Sequence, residues 1–112
     1  MTGLSDARAV EPLVYKVLRA AEWREAQAHG AIAGSADDLR DGFIHLSTHS
    51  QLPGTLARHF SGETGLVVLE IAADRVDAGL KWEPSRDGAL FPHFYGVLPL
   101  GAVIRTREDL AP

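Results

Sequence analysis

Gly42-Phe43-Ile44-His45-Leu46-Ser47-Thr48 alternates apolar and polar side chains, the pattern of a half-buried strand. Successive side chains of a strand point to opposite faces, so Phe43, His45 and Ser47 share one face while Ile44 and Leu46 share the other. The aliphatic pair reads as core. The opposite face presents an imidazole and a hydroxyl side by side on a rigid backbone, an arrangement suited to chemistry. The stretch Phe91-Pro92-His93-Phe94-Tyr95-Gly96 echoes it; extended, it places His93 and Tyr95 on one face. The two segments are expected to form the walls of a single site.

Working outward, Ser50 reads as the N-cap of a helix in which Pro53 is tolerated in the first turn and Leu52, Leu56 and Phe60 make the buried stripe. Residues 66–71 are apolar on both faces, the mark of a central strand covered on both sides. Residues 80–83 form a short strand stopped by Pro84, residues 85–88 a turn, and residues 102–107 the last strand. Upstream, residues 13–18 read as the first strand and 20–29 as a helix closed by Gly30. Ser35 is placed to cap a short turn that leads to Gly42. Residues 1–12 show no periodicity and read as a mobile tail, which leaves 13–112 as the domain. The sum is about six strands and two helices. Helices come early and strands dominate late, which gives an α+β fold with mostly antiparallel sheet.

A chain of 112 residues suffices for one domain and not for two. Hydrophobic content of 46% with 23% charged residues is that of an ordinary soluble protein. The net charge of −4 and the scatter of the eleven Lys and Arg residues argue against a nucleic-acid partner. The absence of cysteine removes disulfides, thiolate ligands and a Cys nucleophile, and fits a reducing cytoplasm. No apolar run approaches the roughly 20 residues that span a bilayer, and no signal peptide is evident. A cytoplasmic protein without membrane partners is expected; its oligomeric state is not legible.

His45 can take or give a proton near neutral pH, and Ser47 can bond a substrate hydroxyl or phosphate. The plainer alternative ties His45 to a neighbouring carbonyl. Aromatic walls around His93 and Tyr95 suit a planar ligand such as a nucleobase or nicotinamide; alternatively Phe91, Phe94 and Tyr95 are core and His93 merely caps it. Glu83 either steers a ribose hydroxyl or stabilises a developing cation, or is an exposed strand end. Lys16 is either a cation beside the chemistry or a solvated strand lysine. His45 and His49 are four apart but not on one helix, and there is no HExxH motif, so no metal site is expected. A metal held by His45, His93 and a carboxylate stays geometrically open. The chain has no GxGxxG, P-loop or GxSxG pattern, which argues against a Rossmann dehydrogenase, a P-loop NTPase and an ordinary α/β-hydrolase.

At Gly42-Phe43-Ile44-His45-Leu46-Ser47, Leu80-Lys81-Trp82-Glu83 and Phe91-Pro92-His93-Phe94-Tyr95-Gly96 the sequence resembles the bacterial family called domain of unknown function 952. The resemblance runs from Tyr15 to Arg105. That family is grouped with the ADP-ribosyltransferase-like fold, so the resemblance implies two small, mostly antiparallel sheets with a cleft that holds NAD in a bent form. It further implies transfer or hydrolysis at a ribosyl bond, with nicotinamide leaving and an oxocarbenium-like ribose stabilised by an anion. On this basis His45, His93 and Glu83 are the catalytic candidates, with Glu83 as the stabilising anion. Lys16, Ser47 and Tyr95 are the candidates for holding the cofactor. In the family the first strand begins Tyr-His; here Tyr15 is followed by Lys16. A lysine at that position would meet a phosphate as a point charge, and leaves open whether NAD is held in the usual way. A fold hosts many functions, so two alternatives stand beside the enzyme: a non-catalytic module that binds a small metabolite in the same cleft, and a protein-interaction domain with structural histidines.

Overall fold

The structure, a computed structural model, describes residues 12–85 and 88–110. In chain order these form β1 (Leu13–Arg19), α1 (Ala20–His29), β2 (Ala31–Ile32), α2 (Ala36–Asp41), β3 (Ile44–His45), α3 (Leu52–His59), β4 (Leu66–Ala72), β5 (Leu80–Pro84), β6 (Leu90–Phe94), β7 (Leu98–Pro99) and β8 (Val103–Leu110). The tail expected over residues 1–12 lies, up to residue 11, outside the described residues, as do Arg86 and Asp87 of the expected turn at 85–88.

Every strand pairing among the described residues is antiparallel. The strands make three small sheets, ordered β1-β4-β8, β2-β7 and β3-β6-β5. The fold is therefore α+β with three sheets and three helices. The expectation of two sheets and two helices missed β2 and β7, which are two residues each, and α2, which was read as a turn.

β4 is central, as its two apolar faces require. On one side Val67, Leu69 and Ile71 join Val14, Leu18, Ile32, Ile44, Leu46 and Phe94 in the larger core cluster. On the other, Leu66 and Val68 meet Tyr15, Val17, Leu52 and Leu56 beneath α3. Gly30 ends α1 in the left-handed conformation, with its N–H bonded to the Ala26 carbonyl. α3 starts at Leu52 with Gln51 as its cap, one residue beyond the expected Ser50; the Thr48 hydroxyl accepts from the Gln51 N–H.

The backbones of the first and third sheets are joined where Tyr15 meets Ser47. Tyr15 and Ser47 exchange two backbone hydrogen bonds of 2.8 and 2.9 Å. This leaves a cleft between β1 on one side and β3 and β6 on the other, with α2 and α3 at its rims. No helix among the described residues is long and apolar enough to cross a membrane.

Candidate functional site

β3 is short, but it sets the site. His45 pairs directly with His93 of β6, and their ring centroids lie 5.5 Å apart. Ile44 and Leu46 are buried in the core as alternation demands. Phe43 stacks on His93 at 4.2 Å and also touches the rings of His45 and Tyr95. The two histidines are thus packed from one side by an aromatic ring.

Each imidazole is fastened by a carboxylate. His45 Nδ1 lies 2.6 Å from Asp38 Oδ1, and its Nε2 lies 3.0 Å from Asp41 Oδ2. Both contacts are hydrogen bonds only when the ring carries a proton on each nitrogen. His93 Nδ1 lies 2.8 Å from Glu83 Oε1, and the Tyr95 hydroxyl donates to both Glu83 oxygens at 2.9 and 3.2 Å. These hydrogen bonds from His93 and Tyr95 hold the Glu83 carboxyl below the usual carboxylate range, and Glu83 in turn raises the Tyr95 phenol. With Nδ1–H donating to an ionised Glu83, Nε2 is the His93 nitrogen left for a ligand.

Behind His45 sits an anchor that the sequence reading overlooked. Asp38 is buried on α2 and accepts four bonds. They come from His45 Nδ1, the His45 backbone N–H at 3.1 Å, the Ser35 N–H at 2.9 Å and Lys16 Nζ at 2.7 Å. Burial alone pushes this carboxyl up. The bond from His45 and the charge of Lys16 outweigh burial and hold it well below the usual carboxylate range. Lys16 is itself 5% exposed and gives a second hydrogen bond to the His45 carbonyl at 3.2 Å. It is a buried lysine paired with Asp38 rather than a solvated strand lysine.

Lys16, Asp38, His45 and His93 line a cavity of about 220 Å³ between the sheets. Ser47 also lines it, with its hydroxyl 2.8 Å from that of Thr55 on α3. Glu83 and Tyr95 are not among the lining residues: they stand behind His93, with Lys81 Nζ 4.9 Å from the Tyr95 ring. The fold therefore brings His45, Ser47, His93 and Lys16 to one cavity and sets Glu83 and Tyr95 in support. Asp38, Asp41 and Thr55 went unnoticed in the sequence, and Phe43 was placed on the His45 face without a role. The usable signal was Ser35-Ala36-Asp37-Asp38, a capping-box spacing that turns the Asp38 side chain back over the helix start. Asp41, three residues on, falls on the same helix face.

Fold and site together define a small α+β protein whose inter-sheet cavity is lined by two carboxylate-anchored histidines. The chain belongs to the family described as "Protein of unknown function (DUF952)", whose pattern matches residues 17–106. It is similar to protein CC0527 from Caulobacter crescentus, known from a crystal structure: identity is 48%, the TM-score is 0.82, and the match covers 85% of this chain and 83% of that one. The solution NMR structure of CC0527 matches with a TM-score of 0.78 over 88% of this chain and 86% of that one. No curated protein matches the chain.

Proposed function

We propose that this chain is a cytoplasmic protein of ADP-ribosyltransferase-like fold whose cavity takes the ribosyl end of NAD or a related nucleotide and acts on the ribosyl bond. The observation that carries the reading is the convergence of His45 and His93, each on its own carboxylate, upon one cavity beside the Ser47–Thr55 hydroxyl pair. In this reading His93 is the acid–base group. Its Nε2 accepts the proton of an attacking water as the oxygen bonds to the ribose C1′. The C1′–nitrogen bond breaks with its electron pair going to the leaving nicotinamide. Glu83 balances the imidazolium through Nδ1–H and, with both oxygens occupied, acts through His93 rather than on the sugar. His45, with both nitrogens facing carboxylates, offers the ligand its ring alone, and Ser47 with Thr55 meets ribose hydroxyls.

One observation favours a second reading. Asp38 and Asp37, the carboxylates among the described lining residues, are paired with Lys16 and Arg40, and Glu83 behind His93 is bonded by Tyr95, so no described lining carboxylate is left unpaired to stabilise an oxocarbenium ion. That suits a module that binds its ligand without turnover.

Thermal melts with NAD and ADP-ribose, read with assays of nicotinamide release, separate the two. Binding should stabilise the fold by about 2.7 kcal/mol at roughly a hundredfold excess over Kd. If the enzyme reading holds, His93→Ala should slow release by about 10²–10⁴. A shift without release selects the binding module. No shift with either compound at millimolar concentration ends both.

A further inference from the structure

We infer that the cavity recognises the nucleoside part of its ligand, planar ring and ribose, and takes no affinity from the phosphates. This rests on the function proposed above and names the part of the substrate that is read.

The first ground is charge. The described lining residues include two Lys or Arg cations, Lys16 and Arg40, and two carboxylates, Asp37 and Asp38, with His45 a third cation whenever both of its carboxylate-facing nitrogens carry protons. Each cation is already partnered: Lys16 holds Asp38 at 2.7 Å, and Arg40 holds Asp37 at 3.1 Å and Asp41 at 2.9 Å. Asp41, 3.0 Å from His45 Nε2, offsets that third cation, and Glu83 stands behind His93 at 2.8 Å from its Nδ1. A phosphate entering here would lose its hydration against a wall with no surplus positive charge among the described residues. Sites that bind through phosphate show the reverse, with free Arg or Lys or a helix N-terminus aimed at the ligand.

The second ground is the lining itself. Tyr15 and Phe60 face the cavity from the β1–α3 side, and Phe91 from the strand that carries His93. An aromatic share in the wall suits a planar heterocycle. The Ser47 and Thr55 hydroxyls, both in the lining and 2.8 Å apart, are neutral groups matched to ribose hydroxyls. The volume of about 220 Å³ is below that of sites that engulf a drug-sized ligand. A base with its sugar is the part of a dinucleotide that such a space can enclose, with phosphates left in solvent.

Isothermal titration of the full chain with nicotinamide riboside, its mononucleotide and NAD, and in parallel with adenosine and AMP, tests this. In at least one series the nucleoside should bind as tightly as its phosphorylated forms, within about threefold. In the adenosine series, where the nucleoside is uncharged, raising the salt should leave that affinity unchanged, because no phosphate contact is being screened. Asp37→Asn leaves Arg40 paired with Asp41 alone and adds one net positive charge to the lining, and should raise the affinity of the phosphorylated forms more than that of the nucleoside. Nucleosides weaker than their nucleotides by more than about threefold in both series, or affinity in the adenosine series that falls with salt, overturns the inference and leaves the proposed function standing. If no compound of either series binds, the proposed function fails and this inference with it.

Discussion

Asp38 is the residue on which the site's geometry depends. Its side chain is 1% exposed and that of its partner Lys16 6%, so each charge is tolerable only because the other is there. Removing one partner of a buried ion pair strands the other. Asp38→Asn keeps the shape and removes the charge, so it should cost about 3–5 kcal/mol in urea denaturation. Adding Lys16→Met to that variant should recover part of the loss, since no unpaired buried charge remains. A cost below about 1 kcal/mol for Asp38→Asn would mean that the pair behaves as a solvated one and anchors nothing. Lys16 shows why the sequence misleads here. A lysine in a strand is normally solvated, and its burial follows from an aspartate on a separate helix that no local pattern connects to it. His45, Ser47 and His93 were legible because strand alternation alone sends polar side chains to one face. Glu83 was legible as a candidate, but its place behind His93 follows from β5–β6 register, which places Glu83 opposite Phe91 and Lys81 opposite His93.

Among the elements, α2 does the positioning. Six residues are too few for a helix to persist by itself, so its ends and its contacts must hold it. Ser35 supplies a capping box with Asp38, and Gly42 closes the helix in the left-handed conformation. The sequence announced both ends and so predicted a turn. What it hid was that the turn is a helix whose inner face carries Asp38 and Asp41 to His45. β3 differs from its expected span for a related reason. The ladder with β6 covers only Ile44 and His45, because the chain then turns to the Tyr15 backbone at Ser47. Gly34 offers the sharpest test of this region. Its φ is +103°, and a Cβ there would sit 2.6 Å from the Asp38 Cβ and 2.7 Å from its Oδ2. Gly34→Ala should therefore cost about 2 kcal/mol or more through backbone strain and displacement of Asp38. It should also shift the His45 ring resonances in NMR spectra more than those of His93. Unchanged His45 resonances in a destabilised variant would show that Asp38 does not hold the ring.

At the scale of the molecule, the α+β class and the central place of β4 follow from periodicity, because a strand covered on both faces cannot show alternation. The sheet of β2 and β7 left no trace, since two-residue strands carry no period. The cavity was hidden for a deeper reason: it is the gap between two sheets, fixed by long-range packing. Its carboxylates give the whole fold a characteristic response to acid. Asp38, Asp41 and Glu83 are all held below the usual carboxylate range: Asp38 by His45 and Lys16 against the effect of burial, Asp41 by Arg40, and Glu83 by His93. A carboxylate depressed in the folded state binds fewer protons there than in the unfolded chain, so acid favours unfolding. Its stabilising contribution is complete above the unfolded aspartate value of about 3.9 and is lost as pH falls through the lower folded value. Asp41 and Glu83 are partly solvated and contribute little, so Asp38 should dominate. Thermal melts taken from about pH 6 down to about pH 2 should show the native chain losing stability steeply below about pH 4. Asp38→Asn should start lower, fall less steeply, and approach the native curve in acid, where Asp38 itself becomes neutral. Two parallel curves would place the acid sensitivity elsewhere and remove Asp38 from the centre of the fold's electrostatics.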